Sequence, residues 1–309
     1  MSDLTVAQKN QNFLNRIDAG GMDKEAESGV LEYTRKRIRE AGILRRIMTG
    51  MTPTRDMYSR RVDSELPVVV IDFEPDSPGG MQMSINGLPP TRYIRAEKYE
   101  VRPRRYTTPT FQKNVDELVM YTLDLRQIFA DNAIKDMLAT EDREYIATHD
   151  ALIGAEGSTV AATGSVQNKV LYGGITREST VEMISLMPGF GDYSLPTDTI
   201  LVNNVTVFQF LKWGREETGG DMAERLYREG YKETTIFGVR IVITNKRKLV
   251  PNNVCYTLAP EKFRGKLLLF QDSVLRLKRE NMMITFSGDE MIGCTLANTA
   301  AFGRVRFAA

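Results

Sequence analysis

Residues 115–153 constrain the fold of this chain more than any other stretch. After Asp124 the positions Ile134, Leu138, Tyr145, His149 and Leu152 recur at steps of three, four or seven residues, and the run stops at Gly154 and Gly157. That spacing lays one stripe along an α-helix, and glycines just past its end supply the left-handed backbone that terminates helices. About 28 residues at 1.5 Å each make a rod of roughly 40 Å. A helix of that length is a spine on which other elements pack.

Around the spine the chain reads as strands and turns. Thr199–Val202 is a strand, followed by a turn at Asn203-Asn204 and a helix from Val205 to Trp213. Further strands are predicted at Phe237–Thr244, Val254–Leu258, Leu267–Phe270, Met282–Phe286 and Ala300–Phe307, with a loop rich in small residues from Gly154 to Thr180 around a short strand at Val170–Tyr172. Helices and strands are segregated, so the expected class is α+β rather than a repeated βαβ sheet. With 309 residues, 42% hydrophobic and 26% charged, the chain is long enough for about two domains and has the composition of a folded protein.

Two segments read as elements that need something outside themselves. Residues 1–29 are polar and interrupted by Gly20-Gly21. From Val30 to Ile47, apolar Leu31, Tyr33, Ile38, Ile43, Leu44 and Ile47 interleave with Arg35, Lys36, Arg37, Arg39, Arg45 and Arg46, and the basic run continues to Arg55, Arg60 and Arg61. Such a run is either a solvated helix face or a contact with a polyanion or a partner subunit. Residues 66–105 read as a long hairpin: β-branched Leu66–Phe73, a breaker-rich turn at Glu74–Gly80, alternating Met81, Met83 and Ile85, and a return strand from Arg92 to Arg102. An isolated ribbon is marginally stable, so it should lie on something else. Arg92, Arg95, Lys98, Arg102, Arg104 and Arg105 gather positive charge there and are candidate contacts to acidic groups of adjacent subunits.

Catalytic and metal-binding patterns do not emerge. His149 is the only histidine and is read as a packing or subunit-contact residue; Gly173-Gly174 and Pro188–Gly191 lack the spacing of phosphate or dinucleotide loops. The carboxylate pairs Glu141-Asp142 and Glu216-Glu217 are read as surface charge, and Cys255 and Cys294 as two buried small apolar side chains. No catalytic, cofactor or metal residue is predicted. The net charge of +1 excludes a chain basic throughout, so any nucleic-acid contact is local; no stretch reaches the roughly 18 apolar residues of a membrane span.

The order of the pieces resembles the Hong Kong 97 type major capsid protein of tailed bacteriophages. The resemblance rests on a basic arm, a long hairpin and a spine helix carrying Leu138-Ala139-Thr140-Glu141-Asp142 and ending near Gly154–Gly157, followed by an α+β domain. Asp198–Phe208, Ile236–Asn245 and the close Met291–Phe302 look like that family's strand-then-helix step, a following strand, and a strand returning to the first domain. The resemblance implies an N-arm over 1–65, an E-loop over 66–105, a peripheral P-domain over 106–180 with its return strand at 290–309, and an axial A-domain over 181–289. It further implies a structural, non-enzymatic subunit that forms hexamers and pentamers of a virion capsid assembled in the host bacterial cytoplasm. Partners would be a separate scaffolding protein, a portal, a possible decoration protein, and packaged double-stranded DNA bound non-specifically on the inner face. The subunit is expected to enter the particle at nearly its full 34.9 kDa, without loss of a large N-terminal domain. Two other readings stay open: a phage structural or DNA-associated protein that uses the basic segment 35–61, and an enzyme of unrecognised class.

Overall fold

The computed structural model describes residues 42–59, 67–75, 80–83, 87–88, 90–91, 93–94, 96–114, 116–117, 125–191, 194–210 and 234–308. The described residues begin with helix α1 (Ile43–Ile47), then strands β1 (Gly50–Met51), β2 (Tyr58–Ser59), β3 (Val68–Asp72), β4 (Lys98–Val101), β5 (Arg104–Thr107) and β6 (Phe111–Asn114). Helix α2 (Leu125–Ile153) follows, with β7 (Thr159–Val160), β8 (Ser165–Val166), β9 (Asn168–Tyr172), α3 (Arg177–Ser185), β10 (Thr199–Asn203) and α4 (Asn204–Phe210). The last third holds β11 (Thr234–Ile236), β12 (Val239–Thr244), β13 (Val254–Leu258), α5 (Glu261–Arg264), β14 (Gly265–Glu280), β15 (Met283–Leu296) and β16 (Phe302–Ala308). The class is α+β, as the sequence pattern predicts, and among the described residues no helix is long and apolar enough to cross a membrane.

Helix α2 is the spine, with 29 residues spanning roughly 43 Å. Its buried positions are Ala133, Ile134, Met137, Leu138, Glu141, Asp142, Tyr145, Ile146, His149 and Ile153, one continuous stripe at steps of three and four. Gly154 ends it at φ 73°, its N–H returning to the Asp150 carbonyl at 3.2 Å.

Two large sheets flank the spine. One has the order β11-β12-β10-β13-β16-β9, with β10 running parallel to β12 and antiparallel to β13. Every residue of β10 is buried because the sheet is covered on both faces. Alternation then divides its side chains: Leu201 joins Tyr145, Val242, Tyr256, Leu258 and Phe302 on the spine side, while Ile200 and Val202 join Ile241, Ile243, Val305 and Phe307 in a second core with Met183 of α3 and Phe210 of α4. Asn203 closes β10 and caps α4, its Oδ1 accepting from the Thr206 N–H at 2.7 Å. The predicted turn at Asn203-Asn204 is therefore a helix cap with no intervening loop.

The other sheet is built on a long hairpin of β14 and β15, flanked by β1, β5 and β6. The pattern predicts only short strands within it, at Leu267–Phe270 and Met282–Phe286. Register shifts between Leu269 and Val274 break the alternation, and the basic run Arg276-Leu277-Lys278-Arg279 hides what remains, so 16 and 14 residues of strand read as two fragments. At the start of β14, Gly265 has φ 135°, and a Cβ there would stand 2.0 Å from the Thr295 carbonyl oxygen, so only glycine fits the corner. Of the boundaries implied by the resemblance, 180/181 falls inside α3 and 289/290 inside β15, and together they divide one sheet between β9 with β16 and β10 to β13.

The segment expected to be a basic arm departs from that expectation where it is described. Ile43, Leu44, Ile47 and Met48 are buried against the spine, and β1 pairs in parallel with Leu267 and Leu268 of β14. Burial of four apolar side chains makes residues 42–51 part of the subunit body; residues 1–41 lie outside the described residues.

Candidate assembly surface

Strands β2, β3 and β4 form a separate three-stranded ribbon, with Val69 opposite Val101 and Asp72 opposite Lys98. Its base is seated: Val69, Val101 and Leu268 of β14 are fully buried together, with Met57, Tyr58, Ile71, Tyr99 and Phe270 around them. Past the base, apolar side chains face solvent, with Leu88 91% and Tyr93 90% exposed, and Met81, Met83 and Ile94 exposed as well. These residues lie in the connection between β3 and β4, which carries no strand among its described residues, so the long hairpin expected over 66–105 is limited there to Val68–Asp72 and Lys98–Val101. Large apolar residues exposed together are the surface signature of an interaction site.

The predicted basic contacts divide by position. Lys98 pairs with Asp72 across the ribbon at 3.4 Å, and Arg102 with Glu100 at 3.2 Å. Arg104 meets Glu144 of the spine at 2.8 Å, and Arg105 meets Asp289 of β15 at 3.0 Å, an acid shared with Arg276. All four cations thus pair within their own chain while remaining more than half exposed, so their charged heads stay reachable from outside. Glu144 also accepts from the Tyr106 hydroxyl at 2.8 Å; burial, then this bond, pushes the phenol up, while the same carboxylate raises Arg104. Arg92 and Arg95 lie outside the described residues, as do Arg35, Lys36, Arg37 and Arg39.

Arg45 corrects its prediction. Expected as a basic contact of the arm, it points inward with a side chain 5% exposed, bound to Glu141 at 3.1 Å, to Glu290, and to Asp272 at 3.5 Å. Ion pairing and burial withdraw it from any polyanion. Arg46 donates to the Ile243 carbonyl at 3.2 Å, also inside the subunit. Reading Glu141-Asp142 as surface charge is corrected as well, since both side chains are 0% exposed. Asp142 accepts from the Ile43 and Leu44 N–H groups at 3.3 and 2.9 Å and pairs with Lys246 at 2.5 Å, holding the start of α1 against the spine. The signal was present in the sequence: 141 and 142 follow Leu138 by three and four residues and so fall on the buried stripe. A second buried cation, Arg264, ties the segment further, donating to the Ile47 carbonyl at 2.8 Å and to Thr199 Oγ1 at 2.9 Å.

His149 is a packing residue. It is fully buried, edge-on to Tyr256 at 4.9 Å and Phe302 at 5.1 Å, and burial, with Arg304 nearby, lowers its pKa to about 3, so the ring stays neutral. Cys255 is buried as expected, whereas Cys294, expected to be buried as well, is exposed. Glu216-Glu217 lies outside the described residues.

No protein-family model matches this chain, and no curated protein matches its sequence. Solved structures do match in three dimensions. The capsid of cyanophage P-SCSP1u superposes with a TM-score of 0.59 at 11% identity, covering 87% of this chain and 89% of its own. The capsid of the native GTA particle gives 0.58 at 12% identity over 86% and 90%, and the mature capsid of bacteriophage PhiM1 gives 0.57 at 8% identity over 86% and 87%. The chain therefore has the fold of these capsid subunits, nearly from end to end.

Proposed function

We propose that this protein is a tailed-phage major capsid protein of the Hong Kong 97 type, a structural subunit that assembles into an icosahedral head around double-stranded DNA. The observation that carries the reading is the agreement in fold with capsid subunits over 86–87% of this chain at only 8–12% identity. The ribbon supports it from physical grounds. A projecting β-sheet with an apolar, cationic surface is stabilised by a neighbour, and heterologous contacts of that kind close into rings.

In this reading residues 66–105 are the E-loop laid on an adjacent subunit, 106–180 with 290–309 the P-domain, and 181–289 the A-domain. The N-arm of 1–65 is then anchored to its own subunit at 42–51. Hexamers and pentamers are the building units, the role is not enzymatic, and the virion is the site of action after assembly in the host bacterial cytoplasm. A separate scaffolding protein and a portal are the partners, with DNA on the inner face. Electron microscopy and light scattering of the expressed full-length protein, alone and with phage scaffolding factors, test this. Rings or closed shells are the expected result. A stable monomer under both conditions overturns it.

A further inference from the structure

We propose that the charged cluster around Arg45 is a proton-linked clasp, in which docking of residues 43–51 onto the spine takes up one proton and is tighter in mildly acidic solution than at neutral pH. The inference is independent of the capsid reading and rests on an imbalance of buried charge. Two fully buried carboxylates, Glu141 and Glu290, both 0% exposed, share the guanidinium of Arg45 at 5%, which also meets the more exposed Asp272 at 3.5 Å. Neighbouring Asp142 does not share that cation, because Lys246 and two backbone N–H groups already satisfy it.

A buried site holding surplus negative charge relieves it most directly by keeping a proton. The acids are not equivalent. Ser273 Oγ donates to Glu290 at 3.1 Å and supports its ionised form, and Asp272 keeps some contact with solvent. Among the described residues Glu141 accepts hydrogen bonds from Arg45 alone, at 3.1 and 3.3 Å. Besides Arg45, Lys246 adds a weaker attraction to Glu141 while pairing with Asp142. Of the other titratable groups near the spine among the described residues, Tyr145 is pushed up by burial, Tyr106 and Arg104 engage Glu144, and Arg105 and Arg276 engage Asp289. Burial accordingly pushes the Glu141 carboxyl up from 4.5 to about 7, against the pull of Arg45.

The sign follows from that upward shift. When the segment lifts away, Arg45 leaves with it and Glu141 regains water and its ordinary acidity. Between pH 4.5 and about 7 the docked state holds a proton that the lifted state has released, so docking weakens as pH rises through this window and levels off above it. One proton sets a limit of about tenfold per pH unit in the docking equilibrium. The remaining anchors of the segment are apolar side chains, the Arg264 bond to the Ile47 carbonyl and the short β1 pairing. The clasp therefore couples the position of the chain before residue 42 to proton concentration.

Hydrogen exchange of the full-length protein between about pH 5 and 7 tests the proposal, with rates converted to protection factors to remove the intrinsic pH dependence of exchange. Protection of the Leu44–Met51 amides should fall by about tenfold or more across the window, while that of Ile200–Val202 in the central strand stays constant. Glu141→Gln, which mimics the protonated acid, should abolish the dependence. Glu290→Gln, which removes one surplus charge, should reduce it and serves if the first variant does not fold. A flat wild-type profile, an equal fall at Ile200–Val202, or an undiminished slope in the variant that folds overturns the clasp.

Discussion

Residues 42–51, with Arg45 and Arg46, and residues 98–105, with Lys98, Arg102, Arg104 and Arg105, are both basic in sequence and opposite in structure. Arg45 sits in a closed cage of acids, whereas Lys98, Arg102, Arg104 and Arg105 lie on the surface with one intrachain acid each. Their energetic roles differ accordingly. A cation that is the sole counter-charge of buried carboxylates holds the fold together, because its loss strands them without water. An exposed cation exchanges its partner for solvent at little cost and remains available to a neighbour. Charge along a chain thus becomes informative only when read together with which helix or strand face meets it.

Removing Arg45 should produce the largest effect. Arg45→Met leaves Glu141 and Glu290 buried without their cation, and the expected loss is about 3–5 kcal/mol in denaturant unfolding. Adding Glu141→Gln and Glu290→Gln to that variant should recover a large part of it, since the stranded charges are then gone. A single Arg45→Met that unfolds like wild type would place the cage in solvent and end the contrast.

At the ribbon the comparison shifts from charge to packing. Val101 is fully buried against Val69 and Leu268, the contact that seats the ribbon on β14. Val101→Ala should cost about 1.5–3 kcal/mol, the value of one fully buried valine with the cavity it leaves. The matching change at Leu88, 91% exposed, should leave subunit stability unchanged and affect assembly alone. Equal losses at both positions would mean that the ribbon is packed along its whole length within the subunit.

How much of this was legible in the sequence follows from the range of the signals involved. The spine, β10, β12 and β13 were readable because one local period decides each: three to four for the helix stripe, a continuous apolar run for strands covered on both faces. The β14–β15 hairpin was underread because its bulges shift the alternation and its exposed face is cationic. The inward turn of Arg45 was not visible locally, since its partners lie 96, 227 and 245 positions away, at Glu141, Asp272 and Glu290. Even so, two acids at the helical spacing of Leu138 and Tyr145 announce that some distant cation must reach them, and that inference needs no coordinates.

Single replacement of a ribbon cation should give the smallest effect on the subunit. Lys98 and Asp72 are 66% and 75% exposed and 3.4 Å apart across the strands. Water screens such a pair, and holding both side chains in place costs entropy that offsets most of the attraction, leaving about 0–1 kcal/mol. Lys98→Ala should therefore change unfolding by less than about 0.5 kcal/mol, and the four-site variant at Lys98, Arg102, Arg104 and Arg105 by no more than the sum of four such pairs. Assembly is where these cations should register. In the proposed shell each modest contact would be repeated around every ring and across every ring boundary, so a loss too small to detect in one subunit would multiply over the assembly. Light scattering should show the single variant assembling like wild type and the four-site variant failing to, with a folded subunit in both cases. A four-site variant that assembles normally would confine these cations to their own chain and leave the apolar ribbon residues to make the contact alone.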